Sequence, residues 1–166
     1  MNDSTFAKAF IQELEMETRA TRSCLERIPT TLSEWRPHEK SMGLGYLSVL
    51  VAEIPLWIAT MVRDNEIDFV TFAHISPANT EELVAHFDQN VAAAKAALAT
   101  VKDGDLEAPF YLKSNGQVVF QSSKRESLES TINHLVHHRG QLTVYMRLND
   151  IAVPSIYGPS ADSRGF

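Results

Sequence analysis

Apolar residues recur three and four positions apart over four stretches of the chain, the spacing that lays one stripe along a helix. The first stretch runs roughly from Ser4 to Ile28, with Phe6, Phe10, Leu14, Cys24, Leu25 and Ile28 near one face. Ser4 is placed to cap its start and Pro29 to stop it. The second runs from about Met42 to Arg63, where Leu44, Leu47, Val51, Ile54, Ile58 and Met61 form the seam of a bundle helix. Pro55 lies inside it, removes one backbone hydrogen bond and predicts a kink. The third runs from about Asn79 to Val101, with Leu83, Phe87, Val91, Ala94, Leu98 and Val101 similarly spaced. The fourth runs from about Arg125 to Leu148, with Leu128, Leu135 and Leu142 seven residues apart.

Between Leu106 and Ser123 the pattern changes. The run "FYLKSNGQVVFQ" sets β-branched and aromatic residues around Asn115-Gly116, a dipeptide that favours tight hairpin turns. A short hairpin before the last helix is expected. The tail "IAVPSIYGPSADSRGF" keeps Ile151, Val153, Ile156 and Tyr157 among Pro, Gly and Ser, so it is expected to pack onto the body. With no repeat, low-complexity segment or linker, the pattern predicts one all-α domain over residues 1–166, a four-helix bundle carrying a small hairpin.

Composition narrows the function classes. A formal charge of −6 and no Lys/Arg cluster argue against nucleic acid as a partner. The single cysteine, Cys24, rules out an internal disulfide and fits a reducing compartment. Its neighbours supply no base, so a small core hydrophobe is the expected role. The N-terminal stretch lacks the apolar region of a signal peptide. The run "LVAEIPLWIATMV" is interrupted by Glu53 and Pro55 and is short for a bilayer. A cytoplasmic protein without a membrane partner is expected.

Three of the six histidines crowd into "NHLVHHRGQL", Asn133 to Leu142. If Leu128, Leu135 and Leu142 hold one seam position, Thr131, His138 and Tyr145 hold the other. His138 then points inward. His134, four residues earlier and roughly 40° round the axis at about 100° per residue, borders the seam. His137 lies on the flank. An i, i+4 pair presents two ring nitrogens to one point, as helical metal sites do. An isolated core histidine is more often a hydrogen-bonded structural group, and His-x-x-x-His lacks the Glu that makes zinc-protease motifs specific. His74 and His86 stand in polar settings and are expected to be solvated. Glu17 lies near the apolar face of the first helix, where snorkelling to solvent or pairing with an arginine is the usual outcome.

The stretch "NHLVHHRGQLTVYMRLNDIAVPSIYGPSAD", with "WRPHEKSMGLGYL" and "VAEIPLW" upstream, resembles the DinB family, bacterial damage-inducible-type proteins related to YfiT-like proteins. The resemblance implies a bundle of up-down-down-up order, a homodimer, and a divalent metal such as nickel or zinc. Its metal triad takes one His from the second helix and two from a His-x-x-x-His on the last. The latter two map onto His134 and His138. The helix-two ligand falls in a pattern like Leu-Gly-x-Leu-Ala-x-His-x-Ala-Glu, matched here by "LGYLSVLVAE", and its His position holds Leu50. Seam counting puts Leu50 beside the site and Glu53 on the outer flank. A substitute donor would have to come from His38, Glu17, Glu53 or water, and two protein ligands hold a metal more weakly than three.

Two functions follow from the resemblance. One is a metal-dependent hydrolase or thiol transferase with an incomplete triad, in which a weakly held metal at His134 and His138 activates water or a thiol. His137 would then be a minor proton carrier, Arg139 would hold an anion or pair with a carboxylate, and Trp35 and Tyr46 would edge the mouth. The other is a non-catalytic, metal-free binding or stress-associated protein, with both histidines as polar core groups. Leu50 favours the second.

Overall fold

The computed structural model describes residues 4–164. Four helices form its body: α1 (Thr5–Leu25), α2 (Leu44–Asp64), α3 (Thr80–Leu98) and α4 (Lys124–Leu148). Three short strands, β1 (Glu66–Asp68), β2 (Pro109–Ser114) and β3 (Gln117–Ser123), make one sheet in the order β1-β2-β3. Helix α2 packs chiefly on α3 and α4, and α1 packs on the same two helices. The apolar stripes meet in two clusters. One is centred on Leu47, Val51, Phe87, Leu135 and Leu142, and the other on Leu14, Ile58, Leu98, Leu128 and Phe110.

The helix ends follow local chemistry. The Ser4 hydroxyl accepts the Ala7 amide at 3.1 Å and opens α1, as its position predicts. Helix α1 stops three residues short of Ile28. The Arg27 and Ile28 amides turn to the Cys24 and Leu25 carbonyls, tightening the chain before Pro29, whose ring disfavours helical backbone at Ile28. Helix α2 starts at Leu44 because the Ser33–Trp35 segment lies across its N-terminus, where the Leu44 and Gly45 amides donate to the Trp35 and Ser33 carbonyls. A Cβ on Gly45 would lie 2.7 Å from that of Ser33, so the approach requires glycine. Pro55 lies within the unbroken helix. In α4, Ser123 and Glu126 form a reciprocal capping box.

Helix α2 departs from expectation in a second way. Its 21 residues are long and apolar enough to cross a membrane by length and composition, although the interrupted run suggested otherwise. Of its most apolar window 67% is buried inside the molecule, between α3 and α4, which accounts for the apolarity. A helix apolar all round is one enclosed on all sides.

The hairpin turns at Asn115-Gly116, with φ of 50° and 78°, the left-handed pair that a type I′ turn demands. Strand β1, absent from the sequence expectation, runs parallel to β2 and pairs Ile67 with Leu112. The Asp68 carboxylate accepts the Asn115 and Gly116 amides and ties β1 to the turn. In the tail, Ile151, Val153 and Ile156 pack against the core, as expected. Tyr157 is 69% exposed, meeting the interior through its hydroxyl and through the Arg139 guanidinium, 5.3 Å over its ring.

Candidate functional site

A cavity of about 660 Å³ opens between α2, α4 and the sheet. Leu50, Trp57 and Met61 of α2 form one wall, and Thr131 and His134 of α4 another. Ile67, Phe69, Phe72, Phe110, Leu112 and Phe120 of the strands and loops close it. The sheet that sequence periodicity half missed is therefore the cavity's aromatic side. Three-residue β1 carries too few positions to alternate visibly.

His134 and His138 do converge. Their Nε2 atoms lie 2.7 Å apart, and Gln141 Oε1 stands 2.7 Å from His138 Nδ1. With Gln141 Oε1 accepting from His138 Nδ1–H, a neutral His138 offers a lone pair at Nε2, and His134 Nε2–H donates to it. Burial pushes His134 down to about 4, helped by the neighbouring imidazoles of His138 and His137. His138 is also lowered, mainly by burial, while Gln141 opposes the shift. Both rings are thus kept neutral. His134, which seam counting left at the border, is the one that lines the cavity; His138 is half-buried beside it. His137 is exposed on the flank, with its ring 5.0 Å from that of His138.

The donors expected to complete a metal shell lie elsewhere. Leu50 is buried on the cavity wall and offers no lone pair. His38 is exposed in its loop, where Nδ1 accepts the Lys40 amide. Glu17 pairs with Arg139 at 2.6 Å, and Tyr157 donates its hydroxyl to the same carboxylate. Arg139, 1% exposed, therefore holds a carboxylate of its own chain. Among the described residues no group of three or more His, Cys, Asp or Glu side chains is gathered to hold a metal ion. Two imidazoles on a tetrahedral zinc stand about 3.3 Å apart, given Zn–N distances of about 2.0–2.1 Å. The present pair would have to break its mutual hydrogen bond and part. The donor set does not fit the three-histidine site that the resemblance implies.

Glu53 overturns the expectation of an outer flank. It is wholly buried; its Oε2 lies 2.5 Å from His74 Nδ1 and its Oε1 accepts the Ile75 amide at 3.0 Å. Flank counting presumes a helix with a solvent side, and α2 between Leu47 and Pro55 has none. His74 is in the α2–α3 connection, borders the cavity, and meets the rings of Phe72 and Tyr46 at 5.5 and 5.9 Å. It is exposed, as its polar neighbours in sequence predicted, while its Nδ1 is tied to Glu53. His86, by contrast, is less solvated than expected: its Nε2 is buried, 3.7 Å from Glu53 Oε1, without a hydrogen bond. Trp57 Nε1, on a residue of the cavity wall, is likewise buried and unpartnered. Tyr46 edges the cavity, whereas Trp35 packs edge-on against Tyr145 at 5.4 Å. Cys24 is a core hydrophobe whose thiol burial pushes up to about 11.

A model of the DinB family matches residues 1–164. No curated protein matches the chain. Among solved structures, a DinB-like protein (YjoA) from Bacillus subtilis is 16% identical, with a TM-score of 0.70 over 94% of this chain and 99% of that one. A DinB-like protein from Bacillus cereus is 21% identical, with a TM-score of 0.69 over 90% of this chain and 97% of that one. At these identities the likeness establishes the fold.

Proposed function

This chain belongs to the DinB family, and we propose that within it the protein binds a small, largely apolar molecule in the cavity between α2, α4 and the sheet, without a metal held in the family manner. The observation that carries this reading is that Leu50 and His134 line the same cavity, one from α2 and the other from α4. Where the resemblance implies a third imidazole there is a branched alkyl group, and the two remaining imidazoles satisfy each other. A cavity with aromatic walls and a few polar groups at its margin is the usual form of a small-molecule site. The orphaned Trp57 N–H on that wall supports the same reading, because buried donors rarely go without an acceptor.

The metal-dependent hydrolase or thiol transferase is the second reading. The convergence of the His134 and His138 nitrogens favours it, and it requires a third donor from water or substrate. Both readings take the protein as a cytoplasmic homodimer with its helices in up-down-down-up order. Each of α1 and α2 packs on both α3 and α4, as the helices of a four-helix bundle do.

Titration with N-phenyl-1-naphthylamine, a neutral fluorescent probe, tests the binding reading. Ser130 is exposed at the cavity margin, so Ser130→Trp should fill the mouth without disturbing the core. We expect saturable binding to the unmodified protein and at least tenfold weaker binding to the variant. Equal binding to both would overturn the assignment of the cavity.

A further inference from the structure

We propose that Glu53 and His74 form a carboxylate–imidazole dyad that accepts the proton of a small aromatic ligand bearing an acidic hydroxyl, bound in the cavity. The inference rests on the binding reading above and adds to it the ligand's chemistry.

The dyad is built from both ends. Glu53 Oε2 holds His74 Nδ1 at 2.5 Å, and Oε1 takes the Ile75 amide, so one carboxylate fixes the ring and the backbone behind it. A carboxylate on Nδ1 selects the tautomer with Nδ1–H and leaves the Nε2 lone pair as the base. Among the described residues nothing hydrogen-bonds His74 Nε2. The ring borders the cavity between Phe72 and Tyr46, whose faces and edges suit a flat ligand. Glu53 itself is fully buried on α2, and its remaining neighbour of note is His86 from α3, with an unpartnered Nε2 3.7 Å away. A buried carboxylate attended by two imidazoles and one amide, with no lysine or arginine paired to it among the described residues, is a poor structural clamp and a good proton-transfer pair.

The other titratable groups around the cavity play different parts. His134 is kept neutral by burial and by its bond to His138, and Glu126 is committed to capping α4. Tyr46 meets the His74 ring from α2. His74 is thus the group placed to take a proton. In the step, the ligand O–H bond breaks, an N–H bond forms at His74 Nε2, and the resulting imidazolium lies between the ligand oxyanion and Glu53. No electrons are exchanged.

4-Nitrophenol and 4-nitroanisole separate the parts of this inference, since they share a shape and only the phenol ionises with a visible absorbance change. Bound 4-nitrophenol should ionise at a pH at least one unit below the free compound, a tenfold change in its ionisation constant. His74→Gln, in an exposed connection, should abolish the shift and weaken 4-nitrophenol binding more than 4-nitroanisole binding. Glu53→Gln should reduce the shift; the His74 variant carries the test if that buried substitution impairs folding. Binding of 4-nitroanisole together with unshifted ionisation of 4-nitrophenol would overturn the dyad and leave the binding reading standing. Persistence of the shift in His74→Gln would also overturn it. Binding of neither compound would remove both.

Discussion

Two glutamates are buried among the described residues, and they are compensated in opposite ways. Glu17 on α1 meets Arg139, a permanent cation that also donates to the Glu17 carbonyl and the Thr21 hydroxyl and to Tyr157. Glu53 on α2 meets His74, near an unpartnered His86 nitrogen and beside a cavity. The first network closes on itself and pins α1, α4 and the tail together. The second is left adjustable, because its countercharge depends on protonation and one face of its histidine is open. A buried charge with a fixed partner serves architecture, whereas one with a titratable partner at a cavity wall is available for chemistry.

The comparison can be broken most severely at Arg139. Removing it strands the Glu17 carboxylate in the core, so Arg139→Met should cost about 3–5 kcal/mol in chemical denaturation. A loss below about 1 kcal/mol would show that the network carries little of the architecture.

The imidazoles on the cavity side predict a pH effect of about 2 kcal/mol, after discounting for solvent that reaches the ring. His134 titrates at about 4 in the folded protein, below the ordinary 6.5, so the unfolded chain takes up the proton first. Stability is therefore full above about pH 6.5 and falls as pH drops toward 4. His134→Gln should flatten that slope in urea titrations, and an unchanged slope would place the loss elsewhere.

Smaller effects are expected at the edges. Tyr157→Phe removes one hydroxyl shared by Glu17 and Arg139 while its exposed ring stays, and should cost about 1 kcal/mol. His38→Ala, at a loop histidine away from the cavity, should change stability by less than about 0.5 kcal/mol and leave probe binding unaltered.

The same contrast explains what could be learned from the sequence. Pairing was one of the outcomes legible for Glu17 and Arg139, because α1 and α4 have a true outside and a polar residue near the apolar face stands out against it. The four helices were legible from their apolar periodicity, along with the Asn115-Gly116 turn and the apolar residues of the tail. Glu53 was misplaced because α2 is buried all round between Leu47 and Pro55 and has no outer flank there to count from. His74 lies in a connection without periodicity, and its link to Glu53 spans 21 residues, so nothing local signals it. Strand β1 exists through its pairing with β2, a tertiary fact. Leu50 was the informative departure. The chain places it in the wall of the cavity that His134 lines, and there the histidine pair has turned to each other.

That wall is where the account is most exposed to test. Metal content after incubation with nickel or zinc and gel filtration, measured beside a Leu50→His variant, addresses it directly. The account predicts well under one metal per chain in the unmodified protein and close to one in the variant. Stoichiometric metal in the unmodified protein, lost on His134→Ala, would contradict it.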